Sequence, residues 1–126
     1  MLGNRVRELD RQESLRLLSK ASVGRIVHTR DALPAVLLVN FGLDADSAVL
    51  VRTAADSEVA RALDGAVVAF EADEIDGAAR SGWSVVVIGR STVVNGPMDV
   101  VVRVDAELVT GREFTGGPSR ARARNG

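Results

Sequence analysis

The chain of 126 residues is long enough for one domain with a single core, because a chain of this length buries about two-thirds of the surface that its unfolded form exposes. Apolar residues make up 46% of the sequence and the formal net charge is -1, which excludes an intrinsically disordered chain. No apolar run approaches the roughly 18 residues of a membrane-spanning helix, and residues 5–11 are charged where a signal peptide would be apolar. We therefore expect a cytoplasmic protein that does not enter a membrane.

Several reactive side chains are absent or occur once. The chain contains no cysteine and no tyrosine, one histidine (His28) and one lysine (Lys20). These absences exclude thiol catalysis, disulfides, cysteine-ligated zinc and multi-histidine metal sites. We expect any demanding reaction to depend on a bound cofactor, with the protein supplying position and electrostatics.

The first predicted element is a short helix over residues 11–21. Asp10 is placed to cap it, Glu13 completes a capping box, and Leu15, Leu18 and Ala21 share one face. From residue 23 the pattern changes to short β-rich runs that are separated by turn residues. We predict six strands, at residues 24–29, 35–41, 48–53, 66–73, 84–94 and 100–109.

Turn and cap signals separate these strands. Residues 31–34 and 44–47 are short enough for hairpins, and the Asn-Gly-Pro sequence at 95–97 predicts a tight turn. A second capping-box-like sequence at 53–56 predicts a helix that runs to about Asp64 and ends at Gly65. Residues 116–126 are rich in glycine and arginine without periodicity, so we predict one domain at 1–115 followed by a flexible tail.

Two of the predicted strands are apolar on both faces. Residues 66–70 and 85–88 are continuously apolar, whereas the last strand alternates apolar and charged residues from Val102 to Leu108. A barrel wall can bury both faces only when something packs on its outer side. We therefore expect a second subunit on that side and a homodimer.

The segment 52–57 is the strongest candidate for a binding site. It leads from a predicted strand into a predicted helix, and it places the Arg52 guanidinium and the Thr53 and Ser57 hydroxyls beside free backbone amides. The positive end of the helix dipole lies at the same point. This combination favours a phosphate group, although a threonine at such a place can also simply cap the helix.

Other features have simpler interpretations. Trp83, the only tryptophan, is expected to pack in the core or at an interface, and His28 is expected to be a satisfied or solvent-facing imidazole. The acidic residues of 71–76 lack the glycine and the ligand spacing of an EF-hand. The arginines of the tail come without aromatic residues for stacking, so we expect neither a metal site nor nucleic-acid binding.

Six short segments follow one another in the order found in one known family. They are Val23-Gly24-Arg25, Pro34 with Val39-Asn40-Phe41, Val51-Arg52-Thr53, Ala69-Phe70-Glu71-Ala72-Asp73, Gly82-Trp83-Ser84-Val85 with Gly89-Arg90, and Val109-Thr110-Gly111-Arg112. Over residues 9–114 the chain resembles the small flavin-binding split-barrel proteins of the pyridoxamine 5'-phosphate oxidase-like superfamily.

The resemblance implies an all-β fold with minor helices, a six-stranded split β-barrel that forms a homodimer. It further implies two flavin mononucleotide (FMN) sites at the subunit interface and a flavin-dependent oxidoreductase acting on a small molecule. The implied cofactor residues are Arg52, Thr53 and Ser57 at the phosphate, Val39, Asn40 and Phe41 along the isoalloxazine ring, and Trp83 and Ser84 from the partner subunit.

Two alternatives stay open, and departures from the family pattern favour the first of them. Glu58 stands where relatives carry a basic residue, Leu38 stands where they often carry proline, and the connection at 94–99 is short. These features favour a non-catalytic split barrel that binds another ligand or none. The second alternative is an enzyme that uses a deazaflavin coenzyme in place of FMN. The acidic tail of that coenzyme prefers basic residues in the groove, and the candidates in this chain are mainly Arg25, Arg52 and Arg90.

Overall fold

The computed structural model describes residues 5–54, 58–95 and 99–116, which contain nine strands and two helices. The elements in chain order are β1 (Arg5–Leu9), α1 (Arg11–Leu18), β2 (Val23–Arg30), β3 (Leu33–Asn40), β4 (Gly42–Leu43), β5 (Val49–Ala54), α2 (Glu58–Leu63), β6 (Val67–Asp76), β7 (Ser81–Asn95), β8 (Asp99–Val104) and β9 (Leu108–Thr115). The fold is therefore mostly β with two short helices. In this part of the chain no helix is long and apolar enough to cross a membrane.

The six predicted strands are all present, but the count of six is not confirmed. β1 and the two-residue β4 were not predicted, and the last predicted strand is interrupted at residues 105–107 before β9 begins. Ala106 therefore lies between strands, and Leu108 is exposed instead of facing the core. An alternating pattern cannot distinguish one long strand from two strands joined by a short bend.

The strands form two sheets that share β7. One sheet has the order β3-β2-β6-β7-β9-β1 and the other the order β7-β8-β5-β4, and all neighbouring strands are antiparallel. The first part of β7, residues 81–88, pairs with β9, whereas residues 91–95 pair with β8. The system is open, because β3 ends one sheet and β4 ends the other.

Gly89 lies where β7 changes its partner. A Cβ atom built on Gly89 would collide with the backbone carbonyl of Asp105, in the connection between β8 and β9. The Asp105 N–H donates to the Arg90 carbonyl at 3.1 Å, and the Arg90 N–H donates to the Glu107 carboxylate at 2.9 Å. The connection therefore crosses β7 in close backbone contact, which only a residue without a side chain allows.

The core fills the space between the two sheets. Its largest fully buried side chains include Phe70, Ile26, Val85, Val87, Val49, Val51, Val102 and Val104 from the strands, with Leu18 from α1 and Leu63 from α2. The outer faces of β6 and β7 are not covered within this chain, since Val67 and Ile88 are exposed. The expected burial of both faces therefore depends on something outside the described residues.

The predicted start of the first helix and the predicted end of the second are confirmed, whereas the other two helix ends differ from the prediction. The Glu13 N–H donates to Asp10 at 2.8 Å within the predicted capping box, although α1 ends at Leu18 and not at residue 21. The second helix begins at Glu58, and Thr53 lies within β5, so Thr53 does not cap it. Gly65, with a φ of 76°, follows its end as predicted. Of the predicted tail, residues 117–126 lie outside the described residues.

We expect Gly89→Ala to destabilise the protein by about 1–3 kcal/mol, because the added methyl group meets a backbone carbonyl that cannot rotate away. Urea unfolding followed by circular dichroism measures this. The matched control is Gly42→Ala, since a Cβ atom there has no neighbour within 4 Å. Equal midpoints for the two variants would show that the backbone contact at Gly89 is not a constraint.

Candidate functional site

A cleft of about 750 Å³ lies between the open edges of the two sheets. It is lined by Leu37, Leu38, Val39, Asn40, Phe41 and Gly42 from the end of β3 into β4, by Leu50, Arg52 and Thr53 of β5, and by Val101 of β8. Ligand pockets commonly enclose about 300–1,000 Å³ and combine apolar walls with a few polar groups. The cleft therefore has the size and lining of a small-molecule site.

The corner of the chain at Phe41 forms this cleft. The Phe41 N–H donates to the Ser22 carbonyl at 3.0 Å, and its ring packs against Phe70 with centroids 4.6 Å apart. Directly after it, Gly42 pairs with Leu50, so the chain passes from the first sheet into the second. Phe41 thus fixes the β3 wall of the cleft against the core.

Two polar residues of the cleft, Arg52 and Thr53, lie on β5, and Asn40 ends β3. The Arg52 side chain is 77% exposed, and among the described residues it pairs with Asp99, whose Oδ2 is 3.5 Å from Nη1. Thr53 follows it and is half-buried. An exposed, weakly held guanidinium can turn toward an anion at little cost, because exposed ion pairs contribute little free energy. The cleft therefore offers a cation and a hydroxyl beside an apolar wall.

Five of the eight predicted cofactor residues line this one cleft. They are Val39, Asn40, Phe41, Arg52 and Thr53. Ser57 lies outside the described residues. Trp83 is 8% exposed and belongs to the core, one of the two places expected for it. Ser84 lies in a different cleft on the other side of β7.

That second cleft, of about 450 Å³, is formed by β1, β7 and β9. Its lining residues are Glu8, Leu9, Ser84, Val86, Val109, Thr110, Gly111 and Arg112. Ser84 pairs with Arg112 and Val86 with Thr110 across the two strands. The sequence did not identify Thr110 and Arg112 as site residues, although both stand in a segment that carried the family resemblance.

The sequence comparison decides the family. Residues 10–113 match the family described as pyridoxamine 5'-phosphate oxidase. The chain belongs to this family. The predicted relationship to its split-barrel proteins is thereby confirmed.

Similar proteins within and around the family agree in length and fold. The chain is 42% identical to the uncharacterized protein Rv0080 of Mycobacterium tuberculosis, over 82% of each chain. It is 35% identical to an FAD binding protein from Mycobacterium smegmatis, with a TM-score of 0.77 over 87% of this chain and 99% of that one. An FAD-binding protein from Mesorhizobium loti, 22% identical, shares the fold with a TM-score of 0.76 over 90% of this chain and 99% of that one.

The departure from the family pattern at Glu58 is offset in the structure. Glu58 Oε1 accepts a hydrogen bond from Arg30 Nη2 at 2.6 Å. A carboxylate repels a nearby phosphate, and this one is paired with a guanidinium of β2. Sequence reasoning missed this pair because its members are 28 residues apart in the chain.

Of the three arginines that are candidates for binding the acidic tail of a deazaflavin coenzyme, Arg52 lines the cleft and the other two do not. Arg25 contacts Glu71 at 2.7 Å and Asp73 at 3.2 Å, and Arg90 donates to the Gly65 carbonyl at 2.8 Å. Burial and the neighbouring Asp73 raise the pKa of Glu71, and Arg25 opposes this rise. The arrangement gives the deazaflavin alternative no support.

His28 differs from its expected environment. The side chain is neither solvent-facing nor satisfied, since the residue is 7% exposed and Nδ1 has no hydrogen-bond partner in the described part of the chain. It lines a third cavity, of about 240 Å³, between β2 and α2. No group of three metal-binding side chains occurs among the described residues.

Asp44 anchors the turn between β4 and β5. Its carboxylate accepts hydrogen bonds from the Asp46 N–H at 2.8 Å and the Ala48 N–H at 3.0 Å, and it pairs with Arg103. Burial acts to raise the pKa of Asp44, but the two N–H donors and Arg103 together lower it below its ordinary value of 3.8. The charged form of Asp44 therefore stabilises the turn.

We expect Asp44→Asn to lower the free energy of unfolding at neutral pH, because the folded state favours the Asp44 carboxylate. A lowered pKa contributes stability above pH 3.8 and loses it as the pH falls below that value. The difference between wild type and variant in urea unfolding should therefore shrink in acid. Asp46→Asn is the control, since that side chain is 81% exposed and should change stability less. A difference that does not depend on pH would contradict the assignment.

Proposed function

We propose that the protein is a flavin-dependent oxidoreductase that binds the FMN portion of its cofactor in the cleft between β3 and β5, at a homodimer interface. The observation that carries the proposal is the position of Arg52 and Thr53 beside the apolar wall of Leu37, Val39 and Phe41. A flavin nucleotide has the matching parts, a flat ring system and a phosphate. The FAD binding protein that is 35% identical to this chain supports the same conclusion.

The residues present fit such a group. Apolar side chains can pack against the ring, and the Arg52 guanidinium can form charge-assisted hydrogen bonds with a phosphate while the Thr53 hydroxyl donates another. Asn40, at the end of β3, can donate its amide N–H to a ring carbonyl or to a substrate. Asn40 would therefore orient the flavin ring, or a substrate, that packs against the apolar wall.

The chemistry requires little acid–base catalysis from the chain. A bound flavin would supply transfer of hydride or of single electrons, which no side chain of this protein can provide. The chain's own residues would bind the ring, neutralise the phosphate and keep water from the apolar part of the cleft. This division fits a protein without cysteine or tyrosine.

We expect FMN to bind the ligand-free protein and Arg52→Ala to weaken that binding by about ten- to a hundredfold, the effect of losing a charge-assisted hydrogen bond. Quenching of flavin fluorescence in a titration measures the dissociation constant. Arg52→Lys keeps the charge and should lose less, and Arg16→Ala on the exposed side of α1 should lose nothing.

Two results would contradict the proposed site. Equal affinities of wild type and Arg52→Ala would place the phosphate elsewhere. A folded protein that binds no flavin would favour the non-catalytic split barrel, after a titration with the deazaflavin coenzyme had also failed.

An exposed apolar surface on the outer face of the first sheet supports the proposed homodimer. Strand register places one apolar row across five strands, from β3 through β2, β6 and β7 to β9. The row consists of Val36, Val27, Ala69, Ile88 and Leu108, of which Val36, Ile88 and Leu108 are exposed large side chains. Contiguous exposed apolar surface of this kind marks an interaction site.

A second copy of the chain is the occupant that we propose for this face. Next to the apolar row lies a row that contains Arg25 and Glu71, so two copies related by a twofold axis can match opposite charges. The second cleft, with Ser84 and Arg112, opens on the same face as Val86. The partner subunit's second cleft could then complete the flavin site.

We expect Val36→Glu to convert the dimer to a monomer at micromolar concentration, because it places a charge in the apolar row. The control is Leu33→Glu on the same strand, because Leu33 is 67% exposed and Val36 is 65% exposed. The two side chains lie on opposite faces of the sheet, since their positions differ by an odd number of residues. Light scattering distinguishes the two states. A monomeric wild type, or a dimer that tolerates Val36→Glu, would contradict the proposed interface.

A further inference from the structure

The cavity at His28 is not used by the proposed flavin ring or by its first phosphate. It is lined by His28, Thr29, Arg30 and Asp31 at the end of β2 and by Glu58, Val59 and Ala62 of α2. His28 belongs to the inward-facing residues of β2, and its Nδ1 is buried without a partner in the described part of the chain. A buried imidazole nitrogen is disfavoured unless a ligand or water bonds to it.

The strand register places this cavity next to the flavin cleft. His28 pairs with Ala35 of β3, and Leu37, which lines the cleft, lies two residues further along that strand, about 7 Å away. On the other side, Thr53 of the cleft and Glu58 of the cavity are separated by four residues. One ligand with two binding parts and a short linker could therefore reach both.

The side chains of the cavity suit a nucleoside. The Arg30 guanidinium is planar and can stack on a purine, while the Glu58 carboxylate can accept hydrogen bonds from the two hydroxyls of a ribose. The imidazole of His28 can bond to a purine nitrogen. Arg30 and Glu58 are paired at 2.6 Å on an exposed surface, and such a pair can separate at little cost.

The charges of the flavin cleft favour the same ligand. The phosphate of FMN is a monoester, which carries close to two negative charges at neutral pH. Each phosphate in the diphosphate bridge of FAD is esterified and carries one charge. Arg52 is the one cation that lines the described part of the cleft, and the acidic Glu58 lies nearby in the sequence. The bridge of FAD thus carries about the same total charge as FMN but divides it between two groups, so a single charge lies against Arg52.

We propose that the His28 cavity, with Arg30 and Glu58, binds the adenosine part of FAD, so that the protein selects FAD over FMN. The inference rests on the proposed flavin function. It assigns a separate set of residues to the discrimination between the two cofactors.

The test compares the dissociation constants of FAD and FMN for the ligand-free full-length protein by isothermal titration calorimetry. We expect wild type to bind FAD at least about tenfold more tightly than FMN, since one or two additional hydrogen bonds give such a factor. Ala62→Trp places a large side chain from an exposed helix position into the cavity and should reduce the affinity for FAD to that for FMN. The affinity for FMN should not change.

Glu58→Gln is a second variant with little effect on folding. It should weaken FAD binding by removing the carboxylate acceptor and leave FMN binding equal or tighter, because a negative charge near the phosphate is lost. The matched control is Glu74→Gln, an exposed residue of β6 outside the cavity.

The outcomes separate the two proposals. Equal affinities of wild type for FAD and FMN, or variants that weaken both cofactors alike, would overturn the adenosine site and leave the flavin function intact. Failure of both cofactors to bind folded protein would overturn both.

Discussion

Every part of the structure that could bind a ligand is positioned by β7, the strand that the two sheets share. Residues 81–90 of β7 pair with β6 on one side and residues 81–88 pair with β9 on the other, whereas residues 91–95 pair with β8. The change from β9 to β8 occurs around Gly89. β3 is connected to the first part of β7 through β2 and β6, whereas β5 is connected to the last part through β8. The separation of Val39 from Arg52 across the cleft therefore depends on where β7 changes its partner strand, at Gly89.

Most of the regular structure follows from local sequence patterns. The Asp10 capping box, the Gly65 helix end and the six apolar runs each depend on residues close together in the chain, and all of these are found. β1 could not be predicted in this way. Four of its five residues, including Arg5 and Arg7, are exposed, and it is an edge strand paired only with β9, more than a hundred residues later. The break at residues 105–107 depends likewise on Gly89, which is distant in sequence.

Only part of the candidate site was predicted, because only part of it depends on residues that are close together in the chain. Val39, Asn40, Phe41, Arg52 and Thr53 were found because they stand in short segments that resemble the family, and they line one cleft. These short segments do not show which charged side chains from distant parts of the chain form ion pairs. Strand register decides these contacts, and a single sequence does not specify it. Examples are the pairing of Arg30 with Glu58, the burial of His28, and the second cleft that Ser84 and Arg112 share.

The distribution of arginines explains why one of them can serve a ligand. Arg7, Arg25 and Arg103 each contact at least two carboxylates, and their guanidinium groups are held by the protein itself. Among the described residues, Arg52 pairs with one carboxylate, that of Asp99 at 3.5 Å, and its side chain is the most exposed of these four arginines. Such a long contact gives way to an anion at little cost, but a group so open to solvent is also screened by salt. In the proposed flavin site, the apolar wall would therefore contribute much of the affinity, and Arg52 would contribute the selection for a phosphate.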